Sequence, residues 1–294
     1  MYAVIGANGY LGSYLVKAIL EETDERIIGT KTTLSGVEDT ERIHWEACDV
    51  SDPESTSRLL DFLRAEKNVK IIYLAAYHHP DKVQKNPVYA WNINVTCLSA
   101  FINQARFAKS IFYASTDSVY GDSINGHRFV ETDPLNPANI YGHNKCAAEA
   151  VVIHAGFNVV RFPFLISPGI TKKHFYDVIA DSIRAGQPFE MYEDSYRSSL
   201  SFENAGRLLI RLMELPGPVP PIVNICGDRD LSKYDVGLMI ADQCGVSRDL
   251  IIPVSVAEAQ ENFETARAKS TLMDNSLCKK LLGLSSIDIF KEPC

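Results

Sequence analysis

Residues 2–12 read YAVIGANGYLG, and this stretch decides the fold. Its first four residues form an apolar run of strand type. Glycines follow at positions 6, 9 and 12, and apolar residues at positions 11, 15, 18 and 19 then mark an amphipathic helix. A glycine turn between a strand and a helix lets backbone N–H groups approach a pyrophosphate, which the helix N-terminus also attracts. The stretch therefore predicts a dinucleotide-binding turn, although a purely structural turn fits the same pattern.

Downstream of this turn, strand-like and helix-like segments alternate. Ser51 and Glu54 are spaced as a capping box, with Pro53 in the first turn of the helix that follows. Strands that are apolar throughout and separated by helices predict a parallel sheet covered on both faces. The fold class is therefore α/β, a Rossmann-like doubly wound parallel sheet. The predicted strands are residues 26–30, 43–47, 70–75, 110–115 and 157–162, and the predicted helices include 53–63, 87–108 and 138–155.

The pattern changes after residue 163, where prolines separate shorter helices and strands. We expect a smaller C-terminal α/β substrate domain that is partly interwoven with the first. The predicted division assigns residues 1–162 and about 201–226 to an NAD(P)-binding Rossmann domain, and residues 163–200 and 227–294 to the substrate-binding domain. Ligands of open parallel sheets bind outside the carboxyl ends of the strands, so we expect the substrate between that edge and the smaller domain.

Composition excludes several classes of protein. The net charge is −8 and the charges of both signs are mixed along the chain, so nothing resembles a basic nucleic-acid footprint. No apolar run approaches the length of a membrane span, and the chain starts directly with a strand, so we expect no signal peptide and a cytoplasmic location. The seven cysteines form no C-x-x-C pair and the seven histidines lack ligand spacing with them, so we expect reduced thiols and no metal site.

Residues 139–145 read NIYGHNK and place Tyr141 and Lys145 four residues apart on a predicted helix. Residues at i and i+4 share a helix face. An ammonium beside a phenol favours the phenolate, so we expect Lys145 to lower the pKa of Tyr141 towards the working pH of a general acid. An exposed helical pair without chemistry fits the same spacing.

Residues 115–121 read STDSVYG and end the predicted fifth strand. Together with the glycine turn and the Tyr141–Lys145 helix, this segment makes the chain resemble an extended short-chain dehydrogenase/reductase. The resemblance covers most of the chain and implies a Rossmann enzyme that acts on nucleotide-linked sugars. It assigns Thr116, Tyr141 and Lys145 as the catalytic residues.

Within that family, the chain is most similar to the dTDP-4-dehydrorhamnose reductase group. Residues 115–117 (STD), 139–145 and 75–78 (AAYH) resemble that group's segments. Residues 119–121 (VYG) are closer to epimerases, and Phe164 stands where the reductases have a tryptophan.

Residues that other branches require are missing. Sugar dehydratases carry a glutamate after the Thr-Asp pair as a base, whereas Ser118 follows Asp117 here. GDP-fucose synthases use a cysteine and a histidine, and His174 alone cannot perform that two-base chemistry. Ketone reduction, or 4-epimerisation through a transient ketone, remains.

The resemblance therefore implies an NADP(H)-dependent reductase of a nucleotide-linked 4-keto sugar. Tyr141 would protonate the developing alkoxide, Thr116 would donate a hydrogen bond to the same oxygen, and Lys145 would hold the nicotinamide ribose. One alternative is an NAD-dependent nucleotide-sugar 4-epimerase, and another is a non-catalytic NADP-binding regulatory subunit. The resemblance also implies a homodimer through residues 87–108 and 138–155, whose apolar stripes fit a buried core equally well.

Residues 29–33 read GTKTT after the second strand, where an acidic residue would bind the ribose 2′-OH of NAD. A lysine and hydroxyl groups favour a 2′-phosphate, so we favour NADP(H), and NAD(H) remains an alternative. The expected cofactor-binding residues are Gly6, Asn8, Gly9, Tyr10, Leu11, Gly12, Thr30, Lys31, Asp49, Val50, Ala75, Ala76, Tyr77, Asn94, Tyr141, Lys145 and Phe162. The expected substrate-binding residues are His78, Asp117, Ser118, Phe164 and Arg197.

Overall fold

A computed structural model describes residues 1–256 and 265–294, and a seven-stranded parallel sheet forms its centre. The strands are β1 (Tyr2–Ile5), β2 (Ile27–Lys31), β3 (Ile43–Ala47), β4 (Lys70–Tyr73), β5 (Ser110–Thr116), β6 (Arg128–Phe129), β7 (Asn158–Phe162), β8 (Phe189–Tyr192), β9 (Tyr196–Arg197), β10 (Ile222–Asn224), β11 (Leu231–Ser232), β12 (Ile251–Val254) and β13 (Leu272–Met273). The α-helices are α1 (Tyr10–Glu22), α2 (Pro53–Arg64), α3 (Pro80–Lys85), α4 (Pro87–Trp91), α5 (Leu98–Gln104), α6 (Ile140–His154), α7 (Phe175–Arg184), α8 (Phe202–Met213), α9 (Lys233–Cys244) and α10 (Ser276–Leu282).

The order of the large sheet is β3-β2-β1-β4-β5-β7-β10, and every neighbouring pair in it is parallel. This confirms the predicted doubly wound parallel sheet. Chain order reverses between β1 and β4, so a crevice opens there outside the carboxyl ends of the strands. The site is therefore expected above β1, β4 and β5.

Two apolar clusters cover the two faces of the sheet. On one face, α1 and α8 bury side chains such as Leu15 and Leu208. On the other, α2, α5 and α6 bury side chains such as Leu60, Phe101 and Val152. Because both faces are covered, strands such as β1 and β4 are apolar at nearly every position, as in other buried parallel sheets.

Two local predictions are wrong. The capping residue of α2 is Asp52, whose carboxylate accepts from the Glu54 N–H at 3.0 Å, whereas the Ser51 hydroxyl donates to Asp49 at 2.7 Å. The helical stretch predicted for residues 87–108 ends at residue 104, and it contains a π-helix, Asn92–Cys97. Within this π-helix, the Asn94 amide accepts from the Tyr77 N–H at 2.8 Å and donates to the Tyr77 carbonyl at 3.0 Å.

A third apolar cluster lies in the C-terminal part of the chain, where α7, α9, β8 and β12 pack together. β8 and β12 form a separate parallel pair, whereas β10 adds to the edge of the large sheet and α8 packs against α1. The division into two domains remains a prediction. Within residues 1–256 and 265–294, no helix has the length and apolar composition of a membrane span.

Candidate active site

The glycine turn joins β1 to α1, and at some of its positions a side chain would clash with the backbone. Gly6 has a φ of +92°, and the Gly9 N–H donates to the Gly6 carbonyl at 3.0 Å. A Cβ atom on Gly12 would lie 2.3 Å from the same carbonyl oxygen. Gly9 precedes α1 without a side-chain cap, so the first N–H groups of the helix face the crevice. The turn fits the diphosphate of a dinucleotide.

A short segment lies against this turn. The Thr171 hydroxyl lies 3.3 Å from the Asn8 carbonyl oxygen, and the Tyr10 hydroxyl donates to the Lys173 carbonyl at 3.0 Å. The Lys172 ammonium is 4.7 Å from the centre of the Tyr10 ring. The segment therefore brings a positive charge to the end of the crevice where a diphosphate would bind.

The end of β5 and the start of α6 are fixed to each other. Thr116 caps the turn after β5, since its hydroxyl accepts from the Ser118 N–H at 3.2 Å. Asn139 caps α6 by accepting from the Gly142 N–H at 3.0 Å. A Cβ atom on Gly142 would lie 2.6 Å from the Ser118 carbonyl oxygen, so glycine allows the first turn of α6 to approach β5 closely.

Tyr141 and Lys145 both face the crevice from α6. The Lys145 ammonium donates to the Ala114 carbonyl at 2.8 Å and to the Tyr113 hydroxyl at 2.9 Å. It lies 6.0 Å from the centre of the Tyr141 ring. The lysine is 4% exposed, so its charge has few partners other than these oxygens and the nearby Glu149.

The expected pKa of Tyr141 is wrong in direction. Burial raises it, and the charge of Asp117 raises it further. Burial also lowers the pKa of Lys145 to about 7, against the opposing effect of Glu149. A lysine that is only partly charged at neutral pH has a weaker effect on the pKa of its neighbour. Tyr141 is consequently a protonated phenol at neutral pH.

One cavity of about 510 Å³ brings most of the predicted residues together. It extends from the glycine turn, past the end of β5 and the start of α6, to the C-terminal part of the chain. The lining includes all three predicted catalytic residues, Thr116, Tyr141 and Lys145. From the remaining predictions it includes Gly6, Gly9, Tyr10, Leu11, Gly12, Ala76, Phe162, His78, Asp117, Ser118, Phe164 and Arg197.

The other predicted cofactor residues lie outside that lining. The Thr30 hydroxyl is buried and accepts from the Gly6 N–H at 2.9 Å, so it supports the glycine turn from behind. Lys31 is held at the exposed end of β2 by the Ser35 carbonyl. The Asp49 carboxylate accepts from both the N–H and the hydroxyl of Ser51. Asn8, Val50, Ala75, Tyr77 and Asn94 are likewise outside the lining.

The wall opposite the sheet carries positive charges. The Arg197 Nε lies 3.3 Å from the Asp117 carboxylate, and its other nitrogens donate to the backbone carbonyls of residues 196, 268 and 269. Arg267 forms an ion pair with Asp81 at 2.7 Å. The Lys233 ammonium lies 5.4 Å from the Phe164 ring centre. A second cavity of about 320 Å³ adjoins here and shares Arg197, Lys233 and Arg267 with the first.

Charge in the cavity favours anionic ligands. Among the described residues that line it, Asp117 is the one carboxylate, and its pKa is raised by burial. Five basic side chains line it: Lys145, which is partly charged at neutral pH, and Lys172, Arg197, Lys233 and Arg267. Burial and the charges of two neighbouring arginines lower the pKa of Lys233 to about 8. A bound anion would stabilise the charged form of this lysine.

Sequence reasoning missed three of these basic residues, Lys172, Lys233 and Arg267, and it also missed Tyr113 behind the cavity. Lys233 begins α9, where a positive charge opposes the helix dipole, and this local conflict was an available signal. Tyr113 places a buried hydroxyl within β5, but only the approach of α6 shows that it contacts Lys145. Within the described residues, no cluster of His, Cys, Asp and Glu is placed to hold a metal.

Comparison with known proteins gives a family match over nearly the whole chain. The model described as RmlD substrate binding domain matches residues 2–289. The probable low-salt glycan biosynthesis reductase Agl14 of Haloferax volcanii is 26% identical over 294 residues, covering 97% of this chain and 93% of that protein.

Two solved structures share the fold. The dTDP-4-dehydrorhamnose reductase of Bacillus anthracis, solved in complex with NADP, has a TM-score of 0.79 at 20% identity and covers 98% of this chain and 94% of its own. MoeE5, solved in complex with UDP-glucuronic acid and NAD, has a TM-score of 0.78 at 21% identity and covers 97% of this chain and 93% of its own.

Proposed function

Because the chain belongs to the family described as RmlD substrate binding domain, we propose that it is an NADP(H)-dependent reductase of a nucleotide-linked 4-keto sugar. The broader prediction, an NAD(P)-dependent oxidoreductase of the extended short-chain dehydrogenase/reductase type in the nucleotide-sugar reductase, dehydratase and epimerase group, is confirmed. The observation that carries the proposal is that Thr116, Tyr141 and Lys145 line the same cavity as the glycine turn.

A reduced nicotinamide, when bound, would supply the hydride. The raised pKa of Tyr141 keeps its phenol protonated, so it can donate a proton to the carbonyl oxygen of the substrate as that oxygen gains charge. The Thr116 hydroxyl donates to the Asp117 carboxylate at 3.1 Å in this structure, and it would be the second donor at that oxygen once its O–H turned towards the substrate. Lys145 has one N–H beyond those bonded to Tyr113 and Ala114, and it would hold the ribose of the cofactor.

The shape and charge of the cavity support a substrate with a diphosphate. The glycine turn and Lys172 would bind the diphosphate of the cofactor at one end. At the other end, Lys233 and Arg267 stand between the two cavities, where the diphosphate of a nucleotide sugar would bind with its nucleoside in the second cavity. Ser118 in place of a glutamate supports reduction over dehydration, because no general base follows Asp117.

The preference for NADP(H) rests on Lys31 at the end of β2, where a carboxylate would repel a 2′-phosphate. The Bacillus anthracis reductase was solved with NADP and MoeE5 with NAD. We therefore infer the preference from Lys31 and not from the likeness of fold. A homodimer and a cytoplasmic location remain predictions.

An NAD-dependent nucleotide-sugar 4-epimerase is the second candidate. Residues 119–121 (VYG) resemble those of epimerases, and Tyr120 is part of a buried network with Arg161 and Asn224 beside the site. An epimerase would keep its cofactor through purification, whereas a reductase would exchange it. A non-catalytic NADP-binding subunit would bind cofactor and turn over no substrate.

The test is an assay of purified protein with dTDP-, UDP- and GDP-linked 4-keto sugars, using NADPH and NADH in parallel. We expect stoichiometric oxidation of NADPH with at least one 4-keto sugar. Conversion of a sugar nucleotide to its 4-epimer without net oxidation of added cofactor would instead establish the epimerase. Tight NADPH binding with neither reaction would establish the regulatory subunit.

A further inference from the structure

The Lys145 ammonium is bound in the interior by one backbone oxygen and one side-chain oxygen. The backbone oxygen is the carbonyl of Ala114, and the side-chain oxygen is the hydroxyl of Tyr113. The ammonium also lies 4.4 Å from the centre of the Tyr113 ring. Tyr113 therefore contacts the lysine with both its hydroxyl and its aromatic face.

A phenol is suited to this position. Tyr113 is 2% exposed, and burial raises its pKa well above the usual value, so it stays protonated. Its oxygen accepts a hydrogen bond from a charged lysine. When the lysine is neutral, the same O–H can donate to the lone pair of the amine. The hydroxyl can thus stay in contact in both protonation states, and the hydrogen bond from the charged ammonium is the stronger of the two.

We propose that Tyr113 is a positioning residue, which fixes the Lys145 side chain through its hydroxyl and stabilises the charged form of that lysine. The proposal rests on the proposed function for the role of Lys145 in cofactor binding, but the Tyr113–Lys145 contact itself does not. Tyr113 lines neither cavity, so it acts through the lysine.

Other groups near Lys145 act on its charge from several sides. Tyr141 lies one turn before it on α6, and Glu149 one turn after it. Glu149 favours the charged lysine, and it is itself paired with Arg161 at 2.6 Å. His78 approaches from the segment after β4. Among these groups, Tyr113 is the one whose oxygen is hydrogen bonded to the ammonium.

The neighbouring strand supplies a matched control. Tyr73 on β4 is paired in register with Tyr113 on β5, and their ring centres are 6.3 Å apart. Tyr73 is also fully buried, but its hydroxyl has no hydrogen-bond partner among the described residues. A Tyr→Phe change therefore removes the same buried atom at both positions, and only at Tyr113 does it remove a contact with Lys145.

The test measures the pKa of Lys145 directly in protein without cofactor or substrate. The wild type, Tyr113→Phe and Tyr73→Phe are treated at each pH with a small acylating reagent, and labelling of the Lys145 peptide is quantified by mass spectrometry. An exposed lysine, Lys280, is the internal reference. Loss of a hydrogen bond to a buried charge should lower the midpoint by about one pH unit in Tyr113→Phe. Tyr73→Phe should keep the wild-type midpoint.

An unchanged or raised midpoint in Tyr113→Phe would overturn the proposal, as would an equal shift in Tyr73→Phe. If Tyr113→Phe does not fold, Tyr113→Met takes its place, because it also lacks a hydroxyl and adapts to irregular space. In the reductase assay, the high-pH limb of kcat/KM should move down by the same amount. A shifted midpoint without any turnover would support the contact and refute the reductase, so the two failures are distinguishable.

Discussion

The two walls of the cavity are built in different ways. The inner wall, made of the glycine turn, the end of β5 and the start of α6, is placed by main-chain elements and strand register. The outer wall, made of Arg197, Lys233 and Arg267, is placed by individual side chains that contact backbone carbonyls, an aromatic ring and two carboxylates. The inner wall thus fixes the reacting groups, and the outer wall selects the ligand. Changes to the inner wall should affect turnover and cofactor binding, and changes to the outer wall should affect substrate affinity.

Among the changes that test this comparison, Tyr141→Phe on the inner wall should have the largest effect. Loss of the proton donor should reduce turnover by about 100-fold or more, while the dissociation constant for NADPH changes little. Steady-state kinetics and fluorescence titration measure the two quantities, with Tyr73→Phe as the matched buried control. Near-wild-type turnover in Tyr141→Phe would remove Tyr141 from the mechanism.

Gly12→Ala tests whether the inner wall depends on the close approach of its backbone. The added Cβ atom would lie 2.3 Å from the Gly6 carbonyl oxygen, so the turn must shift. We expect the free energy of unfolding to fall by about 1–3 kcal/mol and NADPH binding to weaken with it. Gly217→Ala is the control, because no atom lies within 4 Å of its added Cβ. Urea unfolding that shows equal stability for the two variants would contradict this role of Gly12.

The sequence was sufficient to predict the inner wall because short-range patterns define it. The apolar run of β1, the glycine spacing and the i, i+4 pair on α6 are local features, and the structure places them around one cavity. Local features also misled at two places. Asp52 caps α2 in place of Ser51, and residues 92–97 form a π-helix in which Asn94 bonds to the backbone of Tyr77.

The sequence was insufficient where long-range contacts decide the chemistry. Whether Lys145 keeps its charge depends on burial and on Tyr113, and neither is visible from the spacing of residues 141 and 145. The contact of Arg197 with substrate stays a prediction, and its bonds to Asp117 and three backbone carbonyls were not visible from the sequence. Lys233 is separated by about 70 residues from Phe164, so its place in the outer wall follows from the fold alone.

Lys233→Met tests whether the outer wall binds the substrate. Loss of a charge-assisted contact should weaken binding of a nucleoside diphosphate by about 10-fold or more and leave NADPH binding unchanged. Since the pKa of Lys233 is about 8, the ammonium is charged below that pH and neutral above it. Wild-type affinity for UDP or dTDP should therefore fall as the pH rises through 8, and this dependence should be lost in Lys233→Met.

Calorimetric titration with UDP and dTDP between pH 6 and 9 measures both effects. Lys280→Met, which removes an exposed charge on α10, is the control and should bind as the wild type does. Equal affinity of Lys233→Met and the wild type at pH 6 would exclude Lys233 from diphosphate recognition.

Lys31→Ala has the smallest expected effect, because it tests the inner wall where that wall reaches solvent. Lys31 ends β2, and its ammonium is exposed and bonded to the Ser35 carbonyl, so an ion pair with a 2′-phosphate would form in water. An exposed pair of this kind contributes about 1 kcal/mol, which corresponds to about a fivefold change in affinity. NADPH binding should weaken by that factor and NADH binding should not change.

Lys67→Ala is the control. It removes a charge just before β4, at the opposite end of the sheet, and should affect the binding of neither cofactor. If the wild type binds NADH more tightly than NADPH, the assignment of the 2′-phosphate to Lys31 is wrong, and the inner wall would then fix the chemistry without selecting the cofactor.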